Sequence, residues 1–447
     1  MSRALDSIRT IWHAGVDAVR PGPRIAHWFA EHPEVRDAVR RAERIVVVGG
    51  GKAGAGMAAA LEVECADDLG RMTGLISVPA DCVRPLAAIR LVAGRPAGSN
   101  LPTEAGVRAA AEMLALTYRP RGDTLFFGLL SGGGSALLPA PVAGVSLLDK
   151  MTVSWRMSAA GVPIGGMNAV RKHISRIKGG RLVEHLRGRP FYTLVISDVV
   201  GDPLDVIASG PTVPDPTTFD DAIAVLREAH LWDTAPPSIR EYLRRGHLGE
   251  VEETPKHPQE NVRNRILASS RMALDAAAIR AASLGYRVHD LGPDIVGDTE
   301  AAARTHADIV RAIRKVRSPD SPPICILSGG ETTVELPDRP GTGGRNTHFV
   351  LALLNELTRS GSVPLSGVTI LSGGTDGEDG PTDAAGAFAD RDTLHRARRL
   401  GLSADESLAR CDSGSYFEAC DGLFRTGPTN TNVMDLRIVL IDSVEAR

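Results

Sequence analysis

The chain of 447 residues is too long for one hydrophobic core, so its length predicts two domains. Apolar residues make up 43% of the chain and charged residues 23%, and the net charge of −3 excludes the basic surplus that is typical of nucleic-acid-binding domains. The run 124–148 is free of charge and long enough to cross a bilayer, but its glycines and prolines favour a strand followed by a loop over a membrane helix.

The amino terminus and the cysteines point to one compartment. Charged residues stand near the start of the chain, where a signal peptide needs an apolar segment. The five cysteines are scattered and form no close Cys-x-x-Cys pair, which favours reduced thiols and no structural zinc. We therefore expect a cytoplasmic protein.

Strand-like segments alternate with alanine-rich helical segments along the chain, as a parallel α/β sheet requires. The first predicted elements are helices at 4–19, 33–42, 53–64 and 104–116, helical segments from 151 to 184, and strands starting near residues 45, 75, 125 and 192. The later elements are strands at 265–268 and near 286, 324, 368 and 436, and helices at 272–283 and 300–316. The segment 236–262 is polar and rich in proline and charge, so we expect a boundary near residue 256, with domains at 1–255 and 256–447.

Four apolar strands run straight into glycine-rich turns, and three of these turns contain the letters Leu-Ser-Gly-Gly. The four turns are 49–52, 131–135, 328–331 and 372–376. Glycines after a buried strand let the backbone approach a ligand and direct successive N–H groups at one anion. Lys52, Glu331 and Asp376 stand at the tips of these turns, so the sequence predicts phosphate chemistry in a cleft that several strands share.

The first turn allows two interpretations. Gly49, Gly51 and Gly54 satisfy the G-x-G-x-x-G pattern of dinucleotide sites, but the next strand does not end in the expected acidic residue. Lys52 inside the loop suits a γ-phosphate better, although alanine follows it where a Walker motif has Ser or Thr. A third alternative is a tight turn with a solvated Lys52. Only six of the 51 basic residues are lysines, so a retained lysine is a candidate for a position that requires a compact ammonium group.

Further polar clusters follow in the chain. The basic run 168–180 would repel itself unless anions or carboxylates faced it, and its alternative is a solvated surface helix. Asp198 follows a strand, where aspartates hold Mg²⁺ or cap a turn. Arg345 follows two glycines and offers a planar fork for a transferring phosphoryl group, and Asp376 begins an acidic run that lacks the spacing of a calcium loop.

The ordered set of these blocks resembles the class II glycerate 2-kinases, whose carboxyl-terminal part is the MOFRL domain. The matching blocks are 48–57, 131–149, 168–182, 197–218, 328–334, 343–346, 375–387 and 426–435, so the resemblance covers nearly the whole chain. It implies an α/β fold, with a Rossmann-like, mainly parallel sheet domain, a smaller α/β MOFRL domain and a cleft between them. It also implies ATP-dependent, Mg²⁺-assisted phosphorylation of D-glycerate at its 2-hydroxyl.

Site residues follow from the turns and from this resemblance. The resemblance places the essential lysine on Lys52 and the essential arginine on Arg345, as the catalytic pair. The predicted nucleotide- or phosphate-binding residues are Gly50, Gly51, Ser131, Gly132, Gly133, Gly134, Ser135, Gly330 and Glu331. The predicted substrate-binding residues are Asn168, Arg171, Asn346 and Asn432, and the predicted metal ligands are Asp198 and Asp376.

Several departures from the family pattern leave the acceptor open. Arg95 stands where relatives have histidine, Thr347 and His348 replace Gln-Glu, and Asn430 replaces a glycine. The acceptor is then glycerate or another short hydroxy acid. The alternatives from other classes are an NAD(P)H-dependent hydroxypyruvate reductase and a non-catalytic nucleotide-binding module. We expect a small-molecule substrate, no nucleic acid and no membrane as partner, and a homodimer stays open.

Overall fold

A computed structural model describes residues 3–99, 101–118, 120–318, 321–359 and 365–442 of the chain. The chain divides into two compact units. The parallel-sheet unit contains residues 21–267, and the mixed-sheet unit contains the described residues up to Arg20 and from Ala268 onwards. Both units are α/β. No helix in the described ranges is long and apolar enough to span a membrane.

The parallel-sheet unit is built on a six-stranded sheet with the order β3-β2-β1-β4-β5-β6. Its strands are β1 (Arg44–Gly50), β2 (Met72–Pro79), β3 (Ile89–Arg95), β4 (Thr124–Ser131), β5 (Phe191–Ile196) and β6 (Val262–Ala268). The pairings that join β3, β2, β1, β4 and β5 are all parallel. Residues 45–48 of β1 are four consecutive apolar residues with no exposed surface, as expected for a strand covered on both faces.

Helices cover this sheet. They are α2 (Pro21–Glu31), α3 (Pro33–Arg41), α4 (Gly54–Glu64), α5 (Glu104–Thr117), α6 (Gly134–Leu137), α7 (Leu147–Ala159), α8 (Ile164–His173), α9 (Phe219–Glu228) and α10 (Pro237–His247). Short 3-10 helices lie at Ala66–Arg71, Ala80–Cys82, Arg181–Val183 and Ile207–Ser209. A capping box fixes the start of α7, because the Ser146 side chain accepts a hydrogen bond from Asp149 N and the Asp149 side chain accepts one from Ser146 N.

The mixed-sheet unit has a six-stranded sheet with the order β13-β12-β11-β14-β9-β7 and a small parallel pair, β8 with β10. Its strands are β7 (Arg287–Asp290), β8 (Gly297–Asp298), β9 (Ile324–Gly330), β10 (Thr332–Thr333), β11 (Val368–Gly374), β12 (Gly386–Ala389), β13 (Leu423–Phe424) and β14 (Asp435–Ile441). Its helices are α1 (Arg3–Ala18), α11 (Ser270–Ser283), α12 (Thr299–Val316), α13 (Arg345–Arg359), α14 (Arg391–Arg399), α15 (Ala404–Ala409) and α16 (Ser413–Ala419).

The division of the chain differs from the boundary expected near residue 256. The strand β6 pairs at the edge of the parallel sheet, so that unit extends to residue 267. Helix α1 packs on α11, and its Trp12 lies in one apolar core with residues of β9, β11 and β14. The segment 236–262 also contains α10, whose Ile239 and Leu243 lie one turn apart and are buried, a period that the surrounding charges hide in the sequence.

The strand β14 brings two of the Leu-Ser-Gly-Gly repeats together. It pairs antiparallel with β9 on one side and with β11 on the other, so these two strands run parallel to each other and end at the same edge. Asp435 lies opposite Gly330 and Gly374 in these two pairings. Two residues further along β14, Arg437 lies opposite Ser328 and Ser372, so the two repeats are in the same register.

Candidate functional site

The strand order of the parallel sheet reverses between β1 and β4. In open α/β sheets, ligands bind beyond the carboxyl ends of the strands at this switch point. Both strands end there in a predicted glycine-rich turn, and the turns are hydrogen-bonded to each other. Lys52 N donates to Gly132 O at 2.8 Å, and Ala53 N donates to Ser131 Oγ at 3.0 Å. The structure therefore brings two of the four predicted turns together.

Glycine is required where these turns touch. Gly51 has a φ of +146°, and a Cβ on it would lie 2.1 Å from Ser131 Oγ, so no larger residue fits. Gly133 adopts the left-handed conformation, with a φ of +74°. The position of a Cβ on Gly133 lies 3.5 Å from Lys52 Cγ and 3.9 Å from Arg95 Nη2. Two cationic side chains thus lie beside one glycine of the turn.

Arg95, the last residue of β3, is a departure from the family pattern that lies beside this turn. It is buried, and its Nη1 donates to Pro96 O at 3.3 Å and to Ser99 O. Its Nε has no hydrogen-bond partner among the residues that the structure describes. Arg95 therefore adds positive charge next to Lys52.

Lys178 is a buried residue that holds the end of the second turn. Its Nζ donates to Ser135 Oγ at 3.0 Å, to Ala208 O at 2.9 Å and to Ser209 Oγ at 3.2 Å. Asn168, a predicted substrate residue, accepts a hydrogen bond from Ser209 Oγ at 3.1 Å and so belongs to the same network. Burial, followed by the charges of Lys150, Arg171 and Lys172, lowers the pKa of Lys178 well below its usual value.

The basic run around α8 is largely buried, which excludes a solvated surface helix. Lys172 Nζ lies 3.3 Å from Asp215 Oδ1 and 3.6 Å from Asp205 Oδ2. His173 Nε2 lies 2.8 Å from Glu253 Oε1. These residues are therefore faced by carboxylates, as the sequence required. Burial lowers the pKa of Arg171, a predicted substrate residue.

Asp198, a predicted metal ligand, follows β5 by two residues and is half-buried. It therefore lies at the carboxyl end of the strand that pairs with β4. Because parallel strands end at the same edge, Asp198 and the two glycine-rich turns share one edge of the sheet.

The mixed-sheet unit contains a compact ion cluster around Arg345, the first residue of α13. Arg345 Nε and Nη2 donate to the two carboxylate oxygens of Asp435 at 2.8 and 2.9 Å, and its Nη1 lies 2.8 Å from Glu331 Oε1. Arg437 Nη2 donates to Asp435 Oδ2 at 3.1 Å. Asn346 Nδ2 donates to Asp435 Oδ1 at 2.9 Å, and its Oδ1 accepts from Ser372 Oγ at 2.5 Å.

Charge balance sets the pKa values in this cluster. Burial raises the pKa of Asp435, but the charges of Arg345 and Arg437 outweigh burial and hold it below the usual value. Burial lowers the pKa of Arg345, but Asp435, Glu331 and Asp376 raise it above the usual value. Arg345 and Asp435 are therefore charged at neutral pH.

The other predicted residues of this unit lie around the same strand ends. Gly330 pairs with Asp435 across β9 and β14. Asp376 is 9% exposed, and its Oδ1 accepts a hydrogen bond from Glu378 N at 3.0 Å. Asn432 is buried in the segment before β14, and its Oδ1 accepts from Met434 N at 3.4 Å.

The two predicted metal ligands belong to different units, Asp198 to the parallel-sheet unit and Asp376 to the mixed-sheet unit. Within the described ranges, no three residues of the types His, Cys, Asp and Glu form a group that could hold a metal ion. Mg²⁺ that arrives on a nucleotide needs only one or two protein carboxylates.

Four charged residues at these sites escaped prediction from the sequence. Lys150 and Lys178 lie in a cavity beside the β4 turn, and Asp435 and Arg437 lie in the ion cluster. For Lys150 and Lys178, the signal was that lysine is rare in this chain. For Asp435 and Arg437, the signal was two charged residues, two positions apart, in the otherwise apolar strand 435–441. Charged residues are almost never fully buried unless they are paired.

Comparison with known proteins finds two matching families. Residues 7–244 match the family described as "Domain of unknown function (DUF4147)", and residues 324–435 match the MOFRL family. The chain is 36% identical to a glycerate 2-kinase of Pyrococcus horikoshii, over 90% of this chain and 89% of that protein. It is 41% identical to a protein of Agrobacterium vitis that is provisionally named hydroxypyruvate reductase, over 89% of this chain and 99% of that one. The crystal structure of a glycerate kinase from Thermotoga maritima is similar, with a TM-score of 0.81 and 30% identity, over 98% of this chain and 100% of that chain.

Proposed function

This chain belongs to the glycerate kinase family with DUF4147 and MOFRL domains, and we propose from that premise that it is an ATP-dependent D-glycerate 2-kinase. The reaction forms a bond between the 2-hydroxyl oxygen of glycerate and the γ-phosphorus of ATP. It breaks the bond between the γ-phosphorus and the oxygen that bridges to the β-phosphate. The products are 2-phosphoglycerate, ADP and the proton of the hydroxyl group.

One observation carries this proposal in the structure: the paired turns at the switch point, where Lys52 N donates to Gly132 O. A glycine-rich turn after a parallel strand is a site for phosphate, because its N–H groups and the start of the next helix favour an anion. The start of α4 follows Lys52 by two residues, and α6 starts at Gly134. We place the transferring γ-phosphoryl group of ATP at these turns, with Lys52 compensating its charge.

We propose that Arg345 binds phosphate through Nη1, one of the three nitrogen atoms of its guanidinium group. Nε and Nη2 are committed to Asp435, whose side chain has no exposed surface, whereas the side chain of Glu331, which faces Nη1, is 44% exposed. An anion can replace a half-exposed carboxylate more readily than a buried one. We infer that Asp435 orients the fork and that Nη1 is the atom that meets substrate.

Mg²⁺ would enter this reaction as the complex with ATP, where it neutralises phosphate charge. Asp198 and Asp376 are the proposed ligands, each able to give one carboxylate. The cytoplasmic location and a homodimer stay predictions from the sequence.

The experiment that tests this function uses the purified full chain with ATP, Mg²⁺ and D-glycerate, and identifies the product with enolase, which accepts 2-phosphoglycerate and not the 3-isomer. Hydroxypyruvate with NADH is run in parallel. Formation of 2-phosphoglycerate with no NADH oxidation is the expected result. NADH oxidation without phosphorylation would instead support the reductase named for the Agrobacterium vitis relative.

A second acceptor has one specific observation in its favour. Arg95 lies beside Gly133 together with Lys52, so the turn carries two cationic side chains. A hydroxy acid with a second carboxylate, such as tartronate, would match the additional charge. The ratio of kcat/KM for tartronate to kcat/KM for D-glycerate decides between these acceptors, and tetronates complete the series. In an Arg95→His variant, we expect this ratio to fall.

A further inference from the structure

The parallel-sheet unit contains a cavity of about 700 Å³ that the predicted site residues only touch. Helix α7, the residues after β3 and the β4 turn contribute to its lining, and Ser135 is the contact with that turn. None of the described residues that line it is Asp or Glu, whereas four are basic: Lys150, Arg156, Arg171 and Lys178. The walls therefore provide basic groups and no carboxylate to balance them.

Lys150 is the clearest sign that this charge serves a ligand. It is 7% exposed, and its Nζ makes no hydrogen bond to any part of the chain that the structure describes. Burial, with a further contribution from the Arg171 charge, lowers the pKa of Lys150 to about 7. A buried ammonium group without a partner is costly, and a bound anion would remove that cost.

The remaining walls suit a flat apolar group. Leu101, Pro139 and Trp155 line the cavity, and the Trp155 side chain is 71% exposed although it is large and aromatic. Cavities of this size bind ligands much larger than a three-carbon acid, and apolar walls with a few fixed polar groups are typical of them. D-glycerate has no apolar part that could use such walls. A nucleotide has both a polyanionic end and a flat base.

We propose that this cavity is the nucleotide site, with phosphates at Lys150, Arg171 and Lys178 and the base against Trp155. Lys178 donates to Ser135 Oγ, so the phosphate end meets the β4 turn at this residue. The assignment rests on the proposed function, because it is the kinase reaction that calls for a nucleoside triphosphate. It adds a location for the nucleotide and a role for two lysines outside the predicted site.

Binding, rather than turnover, tests this assignment. Titration of the full chain with a non-hydrolysable ATP analogue and Mg²⁺ should quench Trp155 fluorescence, and Trp155→Phe should remove that signal while calorimetry still detects binding. Of the other tryptophans, Trp12 and Trp28 are buried, and Trp232 is half-buried and does not line the cavity, so we expect none of them to respond. Quenching that persists unchanged in Trp155→Phe, or quenching by D-glycerate alone and not by the analogue, would overturn the assignment.

Lys150→Met keeps the aliphatic stem and removes the charge. We expect it to weaken binding of the analogue roughly tenfold or more, the effect of losing one charged hydrogen bond. Its melting temperature should not fall, because the substitution removes an unpaired buried charge. Lys315→Met, on an exposed position of α12, is the matched control and should bind as the wild type does.

Equal affinity in Lys150→Met and Lys315→Met would overturn the nucleotide assignment. Failure of the proposed function gives a different pattern, in which the analogue binds in a Lys150-dependent way but no phosphoryl group reaches glycerate. If Lys150→Met does not fold, Lys150→Arg provides the second variant, since it keeps the charge but not the compact shape of the ammonium group. An unchanged affinity for the analogue in Lys150→Arg would also contradict a phosphate site that is shaped for a compact ammonium group.

Discussion

Two regions of this protein end their strands with the same four letters and then use them differently. In the parallel-sheet unit, the Leu-Ser-Gly-Gly turn that starts at Leu130 packs against a second glycine-rich turn, beside Lys52 and Arg95. In the mixed-sheet unit, the two repeats flank β14, where Asp435 pairs with Arg345 and Arg437. Lys150, in the cavity beside the first region, makes no hydrogen bond to the described residues, whereas the arginines of the second region already have carboxylates.

From this difference we infer that the first region binds an anionic ligand and that the second region positions Arg345. Buried cations without internal carboxylates, such as Lys150, gain most from an anionic ligand. The cluster around Asp435 is balanced by its own chain and gains little, but it fixes the orientation of Arg345. We therefore expect substitutions in the two regions to fail in different ways, with the balanced cluster losing stability and the unbalanced region losing substrate.

The largest effect is expected for Asp435→Asn. Removal of this carboxylate leaves Arg345 without its bidentate partner and Arg437 as a buried charge. Breaking a buried ion pair from one side costs about 3–5 kcal/mol, so the free energy of unfolding of the mixed-sheet unit should fall by roughly that amount. Denaturant unfolding measures it, and the exposed Asp338→Asn is the control. A loss of activity with undiminished stability would show that Asp435 is not a structural partner of the arginines.

The second prediction is a loss of catalytic activity with no loss of stability. Lys52→Ala removes a half-buried cation at the switch point, and loss of one positioned electrostatic donor costs about 3 kcal/mol, or roughly a hundredfold in kcat. The melting temperature should stay close to that of the wild type. Steady-state kinetics of Lys52→Ala and of the exposed Lys315→Ala check this. Near wild-type kcat in Lys52→Ala would remove Lys52 from the reaction.

A smaller effect is expected from pH. Lys150 has a pKa of about 7, because burial and the charge of Arg171 lower it, and Lys178, whose own pKa is lowered by burial, lines the same cavity. Below this pKa Lys150 is charged, and above it the charge is lost, so its contribution to anion binding should fall as pH rises from about 6 to 8. ATP itself gains negative charge in this range. The ratio of affinities of wild type and Lys150→Met therefore isolates the lysine, and it should fall towards one at pH 8. A ratio that does not change with pH would contradict the low pKa.

The sequence predicted the strands and turns well and the pairing of charges poorly. Apolar runs that end in glycines located β1, β4, β9 and β11, because buried strands and tight turns depend on neighbouring residues. It did not show that Arg345 meets Asp435, since 90 residues separate them and only the antiparallel pairing of β14 brings them together. It also did not show that α1 joins the mixed-sheet unit, because that depends on which distant core accepts Trp12.

The smallest effect tests the glycine turn itself. Gly133 and Gly144 both adopt the left-handed conformation, with φ values of +74° and +84°. Alanine at either position should cost about 1 kcal/mol of stability, because a Cβ disfavours that conformation.

Their surroundings differ. A Cβ on Gly144 would contact nothing within 4 Å, whereas one on Gly133 would lie 3.5 Å from Lys52 Cγ and 3.9 Å from Arg95 Nη2. We therefore expect equal losses in melting temperature, but a fall in kcat/KM only for Gly133→Ala, because the methyl group occupies the space in which a phosphate would approach the turn. Equal kinetics in Gly133→Ala and Gly144→Ala would mean that the reacting phosphate does not approach Gly133.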